Sequence, residues 1–378
     1  MPPSSHNPVP VLLLARELGS GGTERQLCEI AKALDRRQFE VHAGYFREGF
    51  RTAELRAAGI GLAPLRVTSF GKPGLVSGIL DFKRYIRQHH IQLVHTFDYP
   101  LTIFAVPLAR LFRVPVVLSS QRAYRELIPS RLRAFIRLTD RLVNGIVVNC
   151  KALQTHLTEE GIAPEKIRLC YNGIDINKFH LEESTDLMDH STDEKNLVIG
   201  CVCLLRPEKD LSTLVKAFAR VLTDRPGLRL LLVGSGPERE KLADLSKELG
   251  IDSLVTFQPT VQDVGAVLRS IDIFVLPSRS EALSNSLMEA MACGCAAIAS
   301  RVGGNSELIT PGETGLLFEQ GNVNDLTVQL ATLADNAALR MTLGQAAARK
   351  IKDEFSVATA AARMAAIYAQ FLDSSRVR

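Results

Sequence analysis

The 378-residue chain has no tryptophan, and aromatic residues make up only 6% of it. Proteins that grip single-stranded nucleic acid interleave aromatic side chains with basic ones. No such stripe occurs here, so nucleic acid is not expected as a partner. No apolar run approaches the roughly 18–20 residues needed to span a bilayer. Seven cysteines, an odd number spread thinly, make no disulfide scaffold and suit a reducing compartment. Cys201 and Cys203, like Cys293 and Cys295, are separated by one residue, too close for the usual metal-ligand spacing. They read as small core residues. Asp-x-Asp is absent throughout, so no metal held by that motif is expected. Met1–Pro10 lacks a basic leader region and Val11–Ala15 is too short for a signal core, which predicts a cytoplasmic protein.

What is present is ordinary for a soluble globular chain: 46% hydrophobic and 23% charged residues. The length suggests about two domains. Net charge is +4, but it is unevenly placed. Residues 1–180 hold 25 Lys and Arg against 15 Asp and Glu, a net of +10, and the remainder holds 20 against 26, a net of −6. A basic first half suggests an anionic surface or partner there.

Apolar runs alternate with amphipathic stretches. Val11–Ala15, Val41–Tyr45, Ile91–His95, Val114–Ser119 and Gly145–Asn149 read as strands with helices between them. The pattern lapses in the polar, acidic stretch 181–195, read as a linker, and restarts at Leu197–Cys203. Continuous apolar runs fit strands buried on both faces of a parallel sheet. The predicted fold is α/β: two Rossmann-like, doubly wound domains, 1–180 and 196–357, facing across a cleft.

Four segments carry candidate chemistry. Gly19–Glu24 follows the first strand and opens a helix, a place where backbone amides approach an anion. Gly234–Arg239 follows a strand of the second half. Neither has the third glycine of the dinucleotide fingerprint, which argues against a nicotinamide-dependent dehydrogenase. Arg206 and Lys209 lie three residues apart before a helix, a pairing that suits a diphosphate, although a solvated turn has the same composition. In Ser278–Ser300, Glu281 precedes a helix and Glu289 lies on it, eight residues on, with small polar residues between. A phosphate at that helix start would have a carboxylate near each end of what it carries; two solvated glutamates on an ordinary helix are the plain alternative.

The Glu281/Glu289 pair, with Ala290–Gly294, Gly303-Gly304 and Gly315–Phe318, resembles the E-x7-E block of family-four retaining glycosyltransferases of the GT-B type. Gly21–Arg25, Tyr171–Asp175, Arg206–Asp210 and Val233–Pro237 extend the resemblance over most of the chain. The resemblance implies a nucleotide sugar bound mainly by the second domain, with no other cofactor. By position, Glu281 would meet hydroxyls of the transferred sugar and Glu289 those of the ribose. Lys209, with Arg206, would hold the diphosphate. Amides of Leu283, Ser284, Asn285 and Ser286, and of Gly21 and Gly22, would complete the cradle. Gly236 and the loop Gln258, Pro259, Thr260 would lie beside the nucleotide. His95, Gln121 and Arg122 would face the acceptor, and the last helix, within 358–378, would cross back onto the first domain. The family's usual arginine five residues before the lysine is Leu204 here, its usual histidine falls in Ser119–Arg122, and a usual glycine is Pro259.

The resemblance implies transfer from a nucleotide sugar, with a UDP-sugar expected ahead of a GDP-sugar, to a lipid-linked or polysaccharide acceptor in cell-envelope or exopolysaccharide synthesis. It also implies retention of configuration by front-face attack. Ser130–Val143 repeats arginine at 133, 137 and 141, near Arg110, Arg113, Arg122 and Arg125. That reads either as docking on the inner face of an anionic membrane or as an ordinary surface helix. The alternatives are a GT-B nucleotide-sugar epimerase and a non-catalytic nucleotide-sugar-binding scaffold. His89-His90 reads as a helix end at the surface.

Overall fold

A computed structural model describes residues 7–19, 21–67, 74–181 and 197–376. The chain divides into two units, Met1–Gly173 with Val357–Arg378, and Ile174–Ser356. The division falls ahead of residue 180 because Ile174 pairs with the other end of its own unit: its N–H donates to Phe355 O at 2.8 Å, and it bridges Ser356. Apart from Leu181, the expected linker 181–195 lies outside the described residues.

The first unit is built on β1 (Val9–Glu17), β2 (Phe39–Arg47), β3 (Gly61–Pro64), β4 (Leu93–Thr96), β5 (Val116–Gln121), β6 (Gly145–Val148) and β7 (Ile167–Leu169). All pairs are parallel, in the order β3-β2-β1-β4-β5-β6-β7. Val11 to Ala15 of β1 are buried, as a central strand covered on both faces must be. The helix Val357–Arg376 returns to this unit and packs on the helix Gly22–Ala33. Ala360, Ala361, Met364, Ile367, Tyr368 and Leu372 form its buried stripe, spaced by three and four residues.

The second unit repeats the plan with β8 (Val198–Val202), β9 (Arg229–Val233), β10 (Val255–Gln258), β11 (Ile273–Leu276), β12 (Ala296–Ser300) and β13 (Leu316–Phe318). The order is β10-β9-β8-β11-β12-β13, again all parallel. In each sheet the chain winds outward from a central strand and then changes direction, between β1 and β4 in one and between β8 and β11 in the other. Such switch points open a crevice beyond the carboxyl ends of the strands. No described helix is long and apolar enough to cross a membrane.

Candidate active site

The loops leaving β8 and β11 meet at the switch point of the second unit. After β8 the chain runs through Cys203–Arg206 into a short 3-10 turn, Pro207–Lys209. It then reverses at Asp210, whose φ of 47° is left-handed. That strained residue is held from several directions. Its buried carboxylate accepts from Thr213 Oγ1 at 2.9 Å and Ser212 Oγ at 3.0 Å, and from Arg279 Nη2 at 2.9 Å. Arg279 N also donates to Glu208 O, so the β11 loop clasps the β8 loop by backbone and side chain.

The clasp brings Lys209 and Glu281 together across 72 residues of sequence. Lys209 Nζ lies 2.5 Å from Glu281 Oε1, and Ser278 Oγ donates to the same oxygen at 2.7 Å. Behind them, Ser300 Oγ at the end of β12 donates to Ser278 O, and Asn305 Nδ2 donates to Ser300 O. Burial alone would lower the Lys209 ammonium pKa. The adjoining Glu281 carboxylate outweighs that by charge and hydrogen bond and raises it. The result is a fixed cation beside a fixed carboxylate, both partly open.

Four residues after Glu281 begins the helix Asn285–Ala292. Ser284 caps it by accepting from Leu287 N, and no acidic side chain occupies its first turn. Its amino end is therefore a positive pole. Asn285 and Ser286 are partly exposed there, while Leu283 and Ser284 are buried. Glu289, on the second turn, is only 2% exposed. The expected cluster of Lys209, Glu281 and the helix start thus forms within one unit.

The loop after β9 stacks on the β8 loop. Cys203 N donates to Val233 O and Leu205 N to Ser235 O, both at 3.0 Å. A Cβ on Gly234 would collide with Cys203 O, and one on Gly236 with Leu205 O, so glycine is required for this approach. Gly234 N reaches Gln258 O at 2.9 Å, and Ser235 Oγ lies 3.3 Å from Thr260 Oγ1. Gly236, Gln258 and Thr260 therefore join the strand-end group, with Pro259 between them in sequence. Arg206 is more than half exposed at the same loop, and Leu204 is 43% exposed. Sequence reasoning missed Ser278, Arg279, Asp210 and Asn305; only the left-handed turn at Asp210 explains why the two loops need a tie.

The switch point of the first unit is differently furnished. Gly21 caps the helix Gly22–Ala33 in an extended conformation, and a Cβ there would collide with the Glu24 carboxylate. The chain's own acid therefore lies over this helix start, and burial raises its pKa. Asp98, at the end of β4, caps the next helix by accepting from Leu101 N at 3.0 Å and also accepts from Arg16 N. Burial pushes its carboxyl up to about 6.

His95 does not line an acceptor pocket. It is fully buried, with Nδ1 2.8 Å from Tyr368 Oη and Nε2 2.9 Å from Ser120 Oγ. It is a core polar residue that fastens the last helix to the sheet. Arg122 is half-buried, stacks 4.9 Å above Phe97 and donates to Asn172 Oδ1, and burial lowers its pKa to about 10. Gln121 turns back to bond Ala123 O. The basic neighbourhood also shrinks. Arg125 is buried between Asp140 and Glu160, each at 2.9 Å. Arg110 bonds Leu142 O and Asn144, and Arg133 bonds Ile128 O and Glu126 O. Arg131, Arg137 and Arg141 stay exposed on the helix Ser130–Leu142, together with Phe135 at 54% and Leu138 at 53%.

Comparison with known proteins places both units. Residues 20–178 match the family model described as Glycosyltransferase Family 4, and residues 183–350 match that of Glycosyl transferases group 1. The chain is 32% identical over 200 residues to N-acetyl-alpha-D-glucosaminyl L-malate synthase of Bacillus anthracis, covering 52% of each protein. It is 28% identical over 292 residues to the sulfoquinovosyl transferase SQD2 of Arabidopsis thaliana, covering 73% of this chain and 54% of that one. The chain spans about half the length of these curated relatives. Among solved structures, Anabaena Alr3699/HepE in complex with UDP-glucose superposes with a TM-score of 0.83 at 22% identity, covering 96% of this chain and 99% of that one. Sucrose-phosphate synthase from Thermosynechococcus elongatus does so at 0.82 and 20% identity, covering 97% and 100%. Each unit therefore has the Rossmann-like build of a GT-B protein.

Proposed function

We propose that this chain, which belongs to the family-four glycosyltransferases, moves a sugar from a nucleotide diphosphate sugar to an acceptor hydroxyl. One observation carries the reading. At the β8/β11 switch point, Lys209 and Glu281 are locked together beside a helix start free of acidic side chains, with Glu289 buried on the next turn. Lys209, with Arg206 on the same loop, supplies charge to the diphosphate as the bond from the sugar's anomeric carbon to the phosphate oxygen breaks. Preorganised donors of this kind stabilise charge where it develops. Amides of the helix Asn285–Ala292 add the helix pole. Glu281, held by Lys209 and Ser278, orients the transferred sugar through its hydroxyls, and Glu289 receives the ribose. The acceptor oxygen attacks from the same face, its proton passes to the departing phosphate oxygen, and configuration is retained. The complexes of Alr3699/HepE with UDP and UDP-glucose favour a UDP-sugar over a GDP-sugar.

The test is thermal stability against a panel of UDP-, GDP- and ADP-sugars, repeated with Glu289→Ala and Lys209→Ala. A ligand that binds only the native state raises its stability. Stabilisation by one nucleotide series, lost in both variants, is expected. No shift with any donor, in the presence of candidate acceptors, would overturn the reading, and a donor shift without turnover would favour the nucleotide-sugar-binding scaffold.

Phe135 and Leu138, exposed among Arg131, Arg137 and Arg141, favour a lipid-linked acceptor reached from an anionic membrane surface. Sedimentation with anionic vesicles should be lost in a Phe135→Ser/Leu138→Ser variant; a parent protein that does not sediment would remove this reading.

A further inference from the structure

At the amino end of β2, far along the strand from its carboxyl end, three ligand-type side chains converge. Glu40 and His42 are two residues apart on β2, so the two-residue period of a strand sets them on one face. Tyr85 and His89 are four apart at the end of the helix Gly74–Gln88, so they too share a face. The His42 ring lies 4.8 Å from that of His89, and His89 stacks 4.3 Å from Tyr85. One oxygen of Glu40 and one ring nitrogen each of His42 and His89 all fall within 4.8 Å of one another.

The surroundings prepare His42 for a particular task. It is 3% exposed, and its Nδ1 lies 2.9 Å from Tyr85 Oη. Nε2 is buried, 3.2 Å from Glu40 Oε1. A histidine that bonds an oxygen through one nitrogen and turns the other toward a carboxylate is arranged as a metal ligand, because the outer bond fixes ring orientation. Gly61 of β3 stands opposite His42, and a Cβ there would collide with the imidazole. Glycine at 61 therefore admits the ring to this position.

We propose that Glu40, His42 and His89 form a site for a divalent transition metal of the zinc class, with Tyr85 orienting His42. Two imidazoles and one carboxylate are a donor set suited to Zn2+, with a fourth position left for water. The ion ties the end of the helix Gly74–Gln88 to β2.

The test is calorimetric titration of the full chain with Zn2+ alone, together with thermal unfolding with and without the ion. One Zn2+ per chain and a rise in Tm are expected. Affinity should fall about tenfold or more in His89→Ala and in Glu40→Gln, both of which alter side chains at the rim and spare the buried His42. Cys203→Ser should leave binding unchanged. Substitution with Co2+ should give a spectrum without thiolate charge transfer. Absence of a one-to-one site in the folded parent would overturn the proposal. So would equal affinity in the His89→Ala/Glu40→Gln double variant, or loss in Cys203→Ser.

Discussion

The two units share a topology but use its one special place in opposite ways. Both sheets reverse direction beside their central strand. In the first unit the polar groups at and behind that reversal are spent on the protein itself. His95 bonds Tyr368 and Ser120, Asp98 caps a helix, and Glu24 lies over Gly21. In the second unit the corresponding loops hold a lysine and a glutamate against each other, both partly open and backed by Ser278, Ser300 and Asn305. A shared fold thus does not distribute chemistry evenly. What separates the two is the helix start: Glu24 lies over that of the first unit, while Lys209 and Glu281 adjoin one with no acidic side chain in its first turn.

Lys209→Ala tests that contrast most severely. Removal of one preorganised charge at a site of this kind costs about 100- to 1,000-fold in kcat. Steady-state turnover with the preferred donor checks it, and kcat within about threefold of the parent would mean that the open switch point is not where transfer occurs. The first unit should respond in stability. Tyr368→Phe strands the buried His95 Nδ1 and should destabilise the protein by about 1–3 kcal/mol. Denaturant unfolding measures that loss, and donor affinity should not move.

Asp98 gives the first unit a pH signature. Its folded pKa of about 6 lies above the ordinary carboxylate value, so the folded state holds a proton that the unfolded state has released. Stability therefore falls as pH rises from about 4 to about 6, by about 3 kcal/mol, and stays lower above that window. Asp98→Asn should flatten this slope, as read from unfolding free energies between pH 4 and 7. An unchanged slope would assign the titration to another group.

The sheets were legible because central strands are continuous apolar runs: the expected Val11–Ala15 lies within β1, and β8 (Val198–Val202) lies within the expected Leu197–Cys203. The edge strands β3, β7 and β13 were not, since three or four residues carry no readable period. In the candidate site, the Glu281/Glu289 spacing and the Arg206–Lys209 cluster could be read because they are local. The Asp210–Arg279 tie could not, because it joins residues 69 apart through a left-handed turn that no spacing announces. His95 misled for the opposite reason. Its place at the end of a strand suggested the crevice, but its partner Tyr368 lies 273 residues away, on a helix that covers it.

Leu204 offers the mildest way to sharpen the contrast. It sits on the β8 loop two residues before Arg206, its side chain 43% exposed, where an apolar group gains little from water. The loop is already held by backbone bonds from Cys203 and Leu205 to the β9 loop, so a longer side chain at 204 need not disturb it. Leu204→Arg adds a cation to a loop that carries Arg206 and Lys209, and an arginine can meet a diphosphate with two parallel bonds. Because the head group is exposed and screened, the gain should be small: about three- to tenfold tighter donor binding, with Tm of the free protein unchanged. Donor titration at low and at high salt checks it. A gain that disappears at high salt fits a diphosphate at the open switch point; a gain insensitive to salt, or none at all, would place the phosphates elsewhere on the second unit.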